Sequence, residues 1–397
     1  MAEDVTGGFN AKEQFGRMTF DGRKLENRVH LFTGQFVGDW LTHEDMARTV
    51  KEWGYDGVGM VTWGPSGIDV PTAVGPEGKE YLKKIIQTLS NYNVGVSTIS
   101  DHLASQALSA AIIDEGLLSI LPSHVKAKGT DRESIHLSAA LHMMDTGRVT
   151  ERFREVAKET LGAERQQELY NPTVIPGFTG SPIWHTLAMF PPVSDATIER
   201  GFQEVAYRIA RVLDVYRDTG NRFALETHPG EIAFDGITAL RIADTINRGE
   251  FGFNGDSSHS VGRGWDYLKY LDAIAARGNL FSTHLKGAGE NPDGLGGAYR
   301  SHQQFGNPTN GWDFKSLGRG TQDEGAIIYK LADLGYAGAF ENEWEDAQIE
   351  KAAGAVASVM LVRGYVNGDE SLVIQALRKY ENPANYQRAD FEASFKK

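Results

Sequence analysis

Eight short runs rich in apolar and β-branched residues alternate with helical patterns along this chain of 397 residues. The predicted strands cover residues 30–35, 57–63, 95–100, 173–178, 222–226, 251–256, 280–285 and 337–343. Because a helical pattern follows each strand, consecutive strands should lie parallel, and eight such units favour closure into a barrel. The predicted fold class is α/β: a (β/α)8 barrel in one domain over residues 1–397, with its core at about 28–365.

Three helices carry recognisable ends at residues 42–54, 194–220 and 323–335. Each opens with a capping or acidic residue and closes with a glycine, as the helix dipole and the left-handed terminal position favour. We expect these helices to pack around the outside of the barrel.

Two segments exceed a minimal barrel. The mostly helical stretch 105–170 follows the third strand, and the glycine-rich loop 287–320 follows the seventh. Both lie after strands, on the face where barrel active sites form, so we expect insertions that act as lids or substrate walls. The polar tail 380–397 is either an arm onto a neighbouring subunit or frayed.

Composition excludes several function classes. The chain has no cysteine, which excludes disulfides, thiol nucleophiles and Cys-ligated metals. A net charge of −13 argues against a nucleic-acid partner, since that binding needs a basic surface. The first residues lack a signal-peptide pattern and no window resembles a membrane helix, so we expect a soluble, cytoplasmic protein with no membrane partner.

Four predicted strands end in side chains that bind divalent cations. Glu226, Asp256, His284 and Glu343 end the fifth to eighth strands, with spacings of 30, 28 and 59 residues. Spacings near 30 match one β/α unit, and the glycine-rich loop lengthens the last one. Since the carboxyl ends of parallel strands share one face, the four side chains should surround one point there.

Such a site carries a charge near −3 and suits Mn²⁺, Mg²⁺ or Co²⁺ better than a soft metal; Mn²⁺ is our first expectation, and Zn²⁺ stays an alternative. A bound ion would hold two substrate oxygens and acidify the C–H next to a carbonyl. Glu226 and Glu343, on opposite sides, could remove that proton and return one to the other face.

A single strand-end acid is more often a helix cap or a solvated charge, and lone histidines such as His142 and His43 are interpreted as structural or surface residues. Four consecutive strands ending in ligands are harder to explain that way.

Other residues near these strand ends have two interpretations each. His259 reaches either substrate oxygens or the residues around the metal, and Lys286 either neutralises substrate or pairs with a ligand carboxylate. Arg319 projects into the pocket or pairs with an acid. Trp184 and His185 line a sugar-binding wall, with core packing as the alternative for the tryptophan.

The chain resembles the xylose-isomerase-like TIM barrels, a family of sugar phosphate isomerases and epimerases. The motifs that carry the resemblance lie at residues 177–185, 226–235, 256–259, 283–286, 311–314, 318–320 and 343–346, within about residues 36–364. It implies a metal held by the four residues named above, with the two glutamates as the acid/base pair. His228 of the 226–235 motif joins His259, Lys286, Arg319, Trp184 and His185 as a substrate-binding candidate.

The pattern leaves some points open. Glu341 is the rival of Glu343 as the last ligand, because residues two apart in a strand point the same way. Ser282, Gly287 and the segment 64–67 depart from the family pattern at the substrate wall. The resemblance therefore predicts the fold better than it predicts the substrate.

Four functions follow as hypotheses. The first is a metal-dependent isomerase or epimerase acting on a small sugar, in a homo-oligomer. The second is a lyase that uses the same proton abstraction on 3-oxo-glycosides, as in C-glycoside deglycosidase large subunits that work with a small partner chain. An apurinic endonuclease is disfavoured by the charge of −13, and a non-catalytic sugar-binding barrel is the last alternative.

Overall fold

The barrel predicted from the sequence is present. The computed structural model describes residues 6–291, 295–299, 302–303, 305–307 and 309–386. Its strands are β1 Val29–Phe32, β2 Gly57–Val61, β3 Gly95–Ser100, β4 Tyr170–Gly177, β5 Arg222–Glu226, β6 Phe251–Asp256, β7 Leu280–Leu285, β8 Gly287–Glu290, β9 Trp312–Lys315 and β10 Phe340–Asn342. Within this described part, eight parallel strands close in the order β1-β10-β7-β6-β5-β4-β3-β2, while β8 and β9 form a separate antiparallel pair. The α/β (β/α)8 TIM-barrel prediction is confirmed.

Helices follow most of the barrel strands. They are α1 Ala11–Phe15, α2 His43–Trp53, α3 Val70–Val74, α4 Gly78–Asn91, α5 His102–Ser105, α6 Glu115–Ile120, α7 Ser123–Lys126, α8 Arg132–Leu161, α9 Ala163–Leu169, α10 Asp195–Asp218, α11 Gly236–Ile246, α12 Tyr267–Ala275, α13 Glu324–Asp333, α14 Lys351–Asn367 and α15 Glu370–Arg378. Thr42, Ser194 and Asp323 cap α2, α10 and α13 with their side chains, which confirms the predicted starts. These caps satisfy backbone N–H groups that the first helical turn leaves free.

Strand bounds agree with the sequence for β3, β5, β6 and β7 and differ at the other four barrel strands, of which the most shortened is β10. That strand has three residues, and its pairing with β7 ends at Asn342 opposite Leu285. Glu343 lies beyond the pairing, but its backbone N–H still donates to the carbonyl oxygen of Leu285 at 3.1 Å. Glu343 is thereby held at the mouth of the barrel.

The main apolar core lies between the barrel and its helices. Outward-facing side chains of the strands, such as Met60, Leu225 and Phe253, are fully buried in one cluster with helix residues such as Ile209 and Val212. Burial of these apolar surfaces between the strands and the surrounding helices stabilises the fold. The interior of the barrel near its mouth can therefore hold polar side chains.

The two long segments are organised differently. Between β3 and β4 the chain forms α5 to α9, and between β7 and β10 it forms the β8–β9 pair before α13. The start of the tail packs on its own chain, because the hydroxyl of buried Tyr380 donates to the Leu317 carbonyl at 3.0 Å and Tyr386 pairs with Ile349. The remainder of the predicted tail, 387–397, lies outside the described residues.

Among the described helices, none combines the length and the apolar character needed to cross a membrane.

Candidate metal centre and active site

The four predicted ligand residues converge at the carboxyl ends of the strands. Glu226 ends β5, Asp256 ends β6, His284 lies in β7 and Glu343 follows β10. One donor atom from each lies within 4.8 Å of the others, and all four side chains are buried. His284 Nδ1 lies 3.1 Å from Glu226 Oε2 and 2.9 Å from Glu343 Oε2. The parallel topology has therefore brought together residues that are 117 positions apart in the chain.

Three of these groups have buried atoms that make no hydrogen bond. Asp256 Oδ2, His284 Nδ1 and Glu343 Oε2 are enclosed and form none with the residues that the structure describes. Buried polar atoms are normally satisfied, since leaving one unpaired costs roughly 1–3 kcal/mol. Two carboxylate oxygens and an imidazole nitrogen that point toward one another are, however, what a divalent cation needs. The arrangement fits a metal ion.

Glu226 is fixed from several directions. Its Oε1 lies 3.0 Å from His259 Nε2, while Oε2 lies 3.2 Å from His102 Nε2 and accepts from Asn254 Nδ2 at 3.0 Å. Burial alone would raise the pKa of Glu226, but the three histidines around its carboxylate, His102, His259 and His284, outweigh it and hold that pKa well below its ordinary value. Glu226 is therefore an ionised, pre-oriented carboxylate.

Glu343 has a different set of partners. Gln35 Nε2 donates to its Oε1 at 2.6 Å, and Lys286 Nζ lies 3.3 Å from the same oxygen. Burial opposes the charge, yet the positive charges of Lys286 and His284 lower the pKa of Glu343 below its ordinary value. Glu343 thus presents one oxygen to supporting side chains and the other to the shared centre, whereas both oxygens of Glu226 have supporting partners.

Lys286 pairs with carboxylates of the predicted ligand set, which is one of its two predicted interpretations. Besides Glu343, its Nζ contacts Glu345 and lies 3.9 Å from Asp256 Oδ2. It also lies 3.9 Å above the ring of Phe314. The ammonium group offsets part of the negative charge of the centre.

Glu341 occupies a deeper layer of the barrel than Glu343. Its carboxylate accepts hydrogen bonds from Ser97 at 2.7 Å and Thr98 at 2.9 Å, and Oε2 lies 3.7 Å from His284 Nε2, the ring nitrogen facing away from the cluster. Gly59 makes the space for it, since a Cβ there would lie 2.2 Å from Glu341 Oε2. The structure therefore groups Glu343, not Glu341, with the other three residues.

The remaining predicted residues fall in different places. His259 contacts Glu226 and lies 3.4 Å from Asp256 Oδ2, so it supports two of the predicted ligand carboxylates. The half-buried His228 packs on it, with ring centres 4.2 Å apart. Trp184 lies edge-on to Phe234 on the nearby wall, and His185 beside it is exposed.

Arg319 lies away from the centre. Its Nη1 pairs with Asp346 Oδ2 at 2.5 Å and its Nη2 donates to Gln348 at 3.1 Å. Of the two alternatives predicted for Arg319, the structure therefore shows the pair with an acidic residue and not a position in the pocket.

A cavity of about 370 Å³ opens over the cluster. Such a volume is in the range of small-molecule sites. Its wall combines aromatic rings with the charged groups described above: Phe32, Trp63, Phe178, Glu226, Lys286 and Glu343. A ligand with several hydroxyl groups could meet both hydrogen-bonding side chains and flat apolar faces in this cavity.

Three supporting residues were missed by the sequence pattern. His102 lies two residues after the end of β3, Gln35 was placed at the end of the first predicted strand, and Asn254 precedes Asp256 by two residues on the same face of β6. Strand-end position and period-two spacing were the signals that could have found them.

Comparison with known families agrees with this geometry. Residues 47–364 match the model of the xylose isomerase-like TIM barrel family. The chain belongs to this family. The match covers most of the chain, including every strand from β2 to β10, and it confirms the resemblance that the motifs indicated. No curated protein sequence matches the chain.

Solved structures with the xylose isomerase-like fold resemble the chain at low identity. The 3-keto-D-glucoside 4-epimerase of E. coli, in its apo form, is 14% identical with a TM-score of 0.56, over 85% of this chain and 99% of that one. A probable 3-DHS dehydratase of Bacillus anthracis is 15% identical with a TM-score of 0.55, over 85% and 98%. A xylose isomerase-like TIM barrel protein of Mycobacterium smegmatis, in complex with magnesium, is 14% identical with a TM-score of 0.52, over 88% and 98%. At these identities the likeness shows the fold.

Proposed function

We propose that the chain is a divalent-metal-dependent sugar isomerase or epimerase that moves a proton at the carbon next to a carbonyl. The observation that carries this proposal is the buried cluster of Glu226, Asp256, His284 and Glu343, three of which have unpaired atoms facing one point. When bound, a divalent ion would supply a positive charge that polarises the substrate carbonyl. We expect Mn²⁺ first, with Mg²⁺, Co²⁺ or Zn²⁺ as alternatives; the M. smegmatis neighbour was crystallised with magnesium.

Glu226 and Glu343 are the proposed acid/base pair. They come from β5 and from the end of β10, which β6 and β7 separate in the barrel, so they approach the cavity from different directions. Glu226 is oriented by His102, His259 and Asn254, while Glu343 is held by Gln35 and Lys286. One carboxylate would take the proton from the substrate carbon and the other would return one to the opposite face.

His228 and Lys286 are proposed to contact the substrate, because both line the cavity beside the two glutamates. Trp184 and His185 are kept as parts of a more distant wall. Arg319 is not proposed as a substrate residue, because Asp346 and Gln348 engage its guanidinium group.

A lyase acting on 3-oxo-glycosides is the second candidate. It needs the same abstraction of a proton next to a carbonyl, followed by loss of the substituent. The observation in its favour is the pair of neighbours named above, of which one acts on a 3-keto-D-glucoside and the other is a probable dehydratase. In that case we propose a small partner subunit, and for either reaction a homo-oligomer.

The test is C–H exchange in D₂O, followed by NMR, with Mn²⁺-loaded protein on a panel of ketoses and 3-oxo-glucosides. Metal-dependent deuterium incorporation that is lost in Glu226→Gln and Glu343→Gln, but kept in the remote control Glu199→Gln, would support the proposal. Product spectra then separate isomerisation from elimination. Exchange that persists in either active-site variant would contradict the assigned pair, and metal binding without any exchange would favour a sugar-binding protein.

A further inference from the structure

A second cavity adjoins the first one. It has a volume of about 590 Å³, and His228 lines both cavities. Its walls come from the loops after β4, β5 and β6 and from the segment that contains β9. Aromatic side chains dominate them: Trp184, Phe234, Trp265, Trp312 and Phe314. A flat apolar group larger than a sugar could therefore be bound next to the metal centre.

Arg263 is the cation in this aromatic wall. Its Nε, Nη1 and Nη2 are all buried and, among the described residues, none has a hydrogen-bond partner. The guanidinium carbon lies 5.7 Å from the centre of the Trp312 ring. Burial lowers the pKa of Arg263 to about 10, although it stays charged at neutral pH. Five N–H donors are thus withdrawn from water without an acceptor, an arrangement that is unfavourable unless a ligand supplies one.

Other arginines of the chain show how unusual this is. Arg319 pairs with Asp346, and Arg154 donates to the Pro172 carbonyl and to Asn221 at 2.7 and 2.6 Å. Asp235 lines the same cavity as Arg263, but its Oδ1 accepts from the Thr238 backbone N–H at 2.8 Å as the cap of α11. The structure therefore leaves Arg263 available to an acceptor from outside the chain.

We propose that this cavity binds an aromatic aglycone that carries a carboxylate, so that the substrate is an acidic aryl 3-oxo-glycoside with its sugar at the metal centre. The aromatic walls match a planar ring, and a guanidinium group matches a carboxylate through two parallel hydrogen bonds. The inference rests on the proposed function for the position of the sugar. Beyond the proposed function, the inference assigns to Arg263 and this cavity the selection of the aglycone. The aglycone is the leaving group if the reaction is an elimination, and it stays attached if the reaction is an epimerisation.

The test measures binding without turnover. Three probes with the same sugar are titrated into Mn²⁺-loaded protein: 4-carboxyphenyl, phenyl and methyl β-D-glucopyranoside. Calorimetry gives the affinities, and quenching of tryptophan fluorescence reports on the cavity. We expect the carboxyphenyl probe to bind best and the methyl probe worst. Because a hydrogen bond to a charged group is worth more than a neutral one, the carboxylate should improve affinity by at least about tenfold.

Arg263→Met should abolish the advantage of the carboxyphenyl over the phenyl probe and leave the advantage of phenyl over methyl. Arg263→Lys keeps the charge with a single point of contact and should give an intermediate value. Arg277→Met is the matched control, since its exposed side chain pairs with Asp244 far from the site. Thermal melts verify that each variant is folded, and Trp265→Ala tests the aromatic wall independently.

Equal affinities for the three probes would overturn the proposal, as would a carboxylate preference that survives in Arg263→Met. The result stays separable from the proton-transfer assay. Selective binding of the carboxyphenyl probe without C–H exchange on any sugar would support the aglycone site and contradict the isomerase. Exchange on free ketoses with equal binding of the three probes would support the isomerase and contradict the aglycone site.

Discussion

Replacing Glu324 by glutamine should make the protein more stable at alkaline pH. Glu324 opens α13 and is 2% exposed, and its Oε1 accepts from the Gly318 backbone N–H at 2.9 Å. Its other oxygen has no hydrogen-bond partner among the described residues. Burial raises the pKa of Glu324 from 4.5 to about 7. The folded state therefore binds this proton more tightly than the unfolded chain does.

The sign and size follow from this difference. Between pH 4.5 and 7 the folded state holds more protons, so stability falls as pH rises and the full penalty is present above pH 7. The difference between a pKa of 4.5 and one of about 7 corresponds to roughly 3 kcal/mol. Glu324→Gln keeps an acceptor for Gly318 and removes the charge. We expect it to equal the wild type at pH 5 and to exceed it by about 3 kcal/mol at pH 8.

The assay is urea unfolding in EDTA at pH 5, 6, 7 and 8. Glu80→Gln, which changes an exposed glutamate in the first turn of α4, is the matched control. The difference between its free energy of unfolding and that of the wild type should be the same at all four pH values. A Glu324→Gln difference that does not grow with pH, or that grows in the opposite direction, would refute the reasoning.

Three further perturbations have defined outcomes. Gly59→Ala should destabilise the protein by about 1–3 kcal/mol, because the new Cβ meets Glu341, while Gly38→Ala, which meets no atom within 4 Å, should leave the melting temperature unchanged. Asp101→Asn should cost about 3–5 kcal/mol in urea unfolding at pH 6, since it removes the buried partner of His142, 3.0 Å away. Although burial lowers the pKa of His142, the charge of Asp101 outweighs it and raises that pKa, so the loss should become smaller as the pH rises through the raised pKa. Removing bound metal with EDTA should lower the melting temperature, and Mn²⁺ at 100 times its Kd should restore about 2.7 kcal/mol; identical melts with and without metal would contradict a metal centre.

The sequence could predict the clustered residues because topology alone brings them together. Glu226, Asp256 and His284 stand at strand ends, and parallel strands in a closed barrel place such ends on one rim. His102 and Gln35 lie two and three residues after the ends of β3 and β1. A single histidine or glutamine there carries no ligand pattern of its own, and only the contact with a glutamate across the barrel shows its role.

The depth of a side chain within the barrel, and the direction in which a loop side chain points, could not be predicted in the same way. Period two places Glu341 and Glu343 on one side of the strand, but the pairing with β7 ends between them and separates their layers. Flanking glycines predict a tight turn at Arg319 without giving its direction. That direction is decided by Asp346, 27 residues further along the chain. Such long-range partners are not encoded in any local pattern.

The two cavities also differ in which part of the fold builds them. The proposed ligands come from strands or from the residue directly after one, whose positions are fixed by the closed hydrogen-bonding of the barrel. Arg263 and Trp265 lie on the short connection between β6 and α12, and Trp184 lies on the long connection between β4 and α10. Loops of a barrel can change while its strands keep their geometry, so the chemistry of the centre and the choice of substrate vary independently. For this reason a shared fold at 14% identity shows the arrangement of the barrel strands, whereas the bound substrate has to be inferred from the chain's own loop residues.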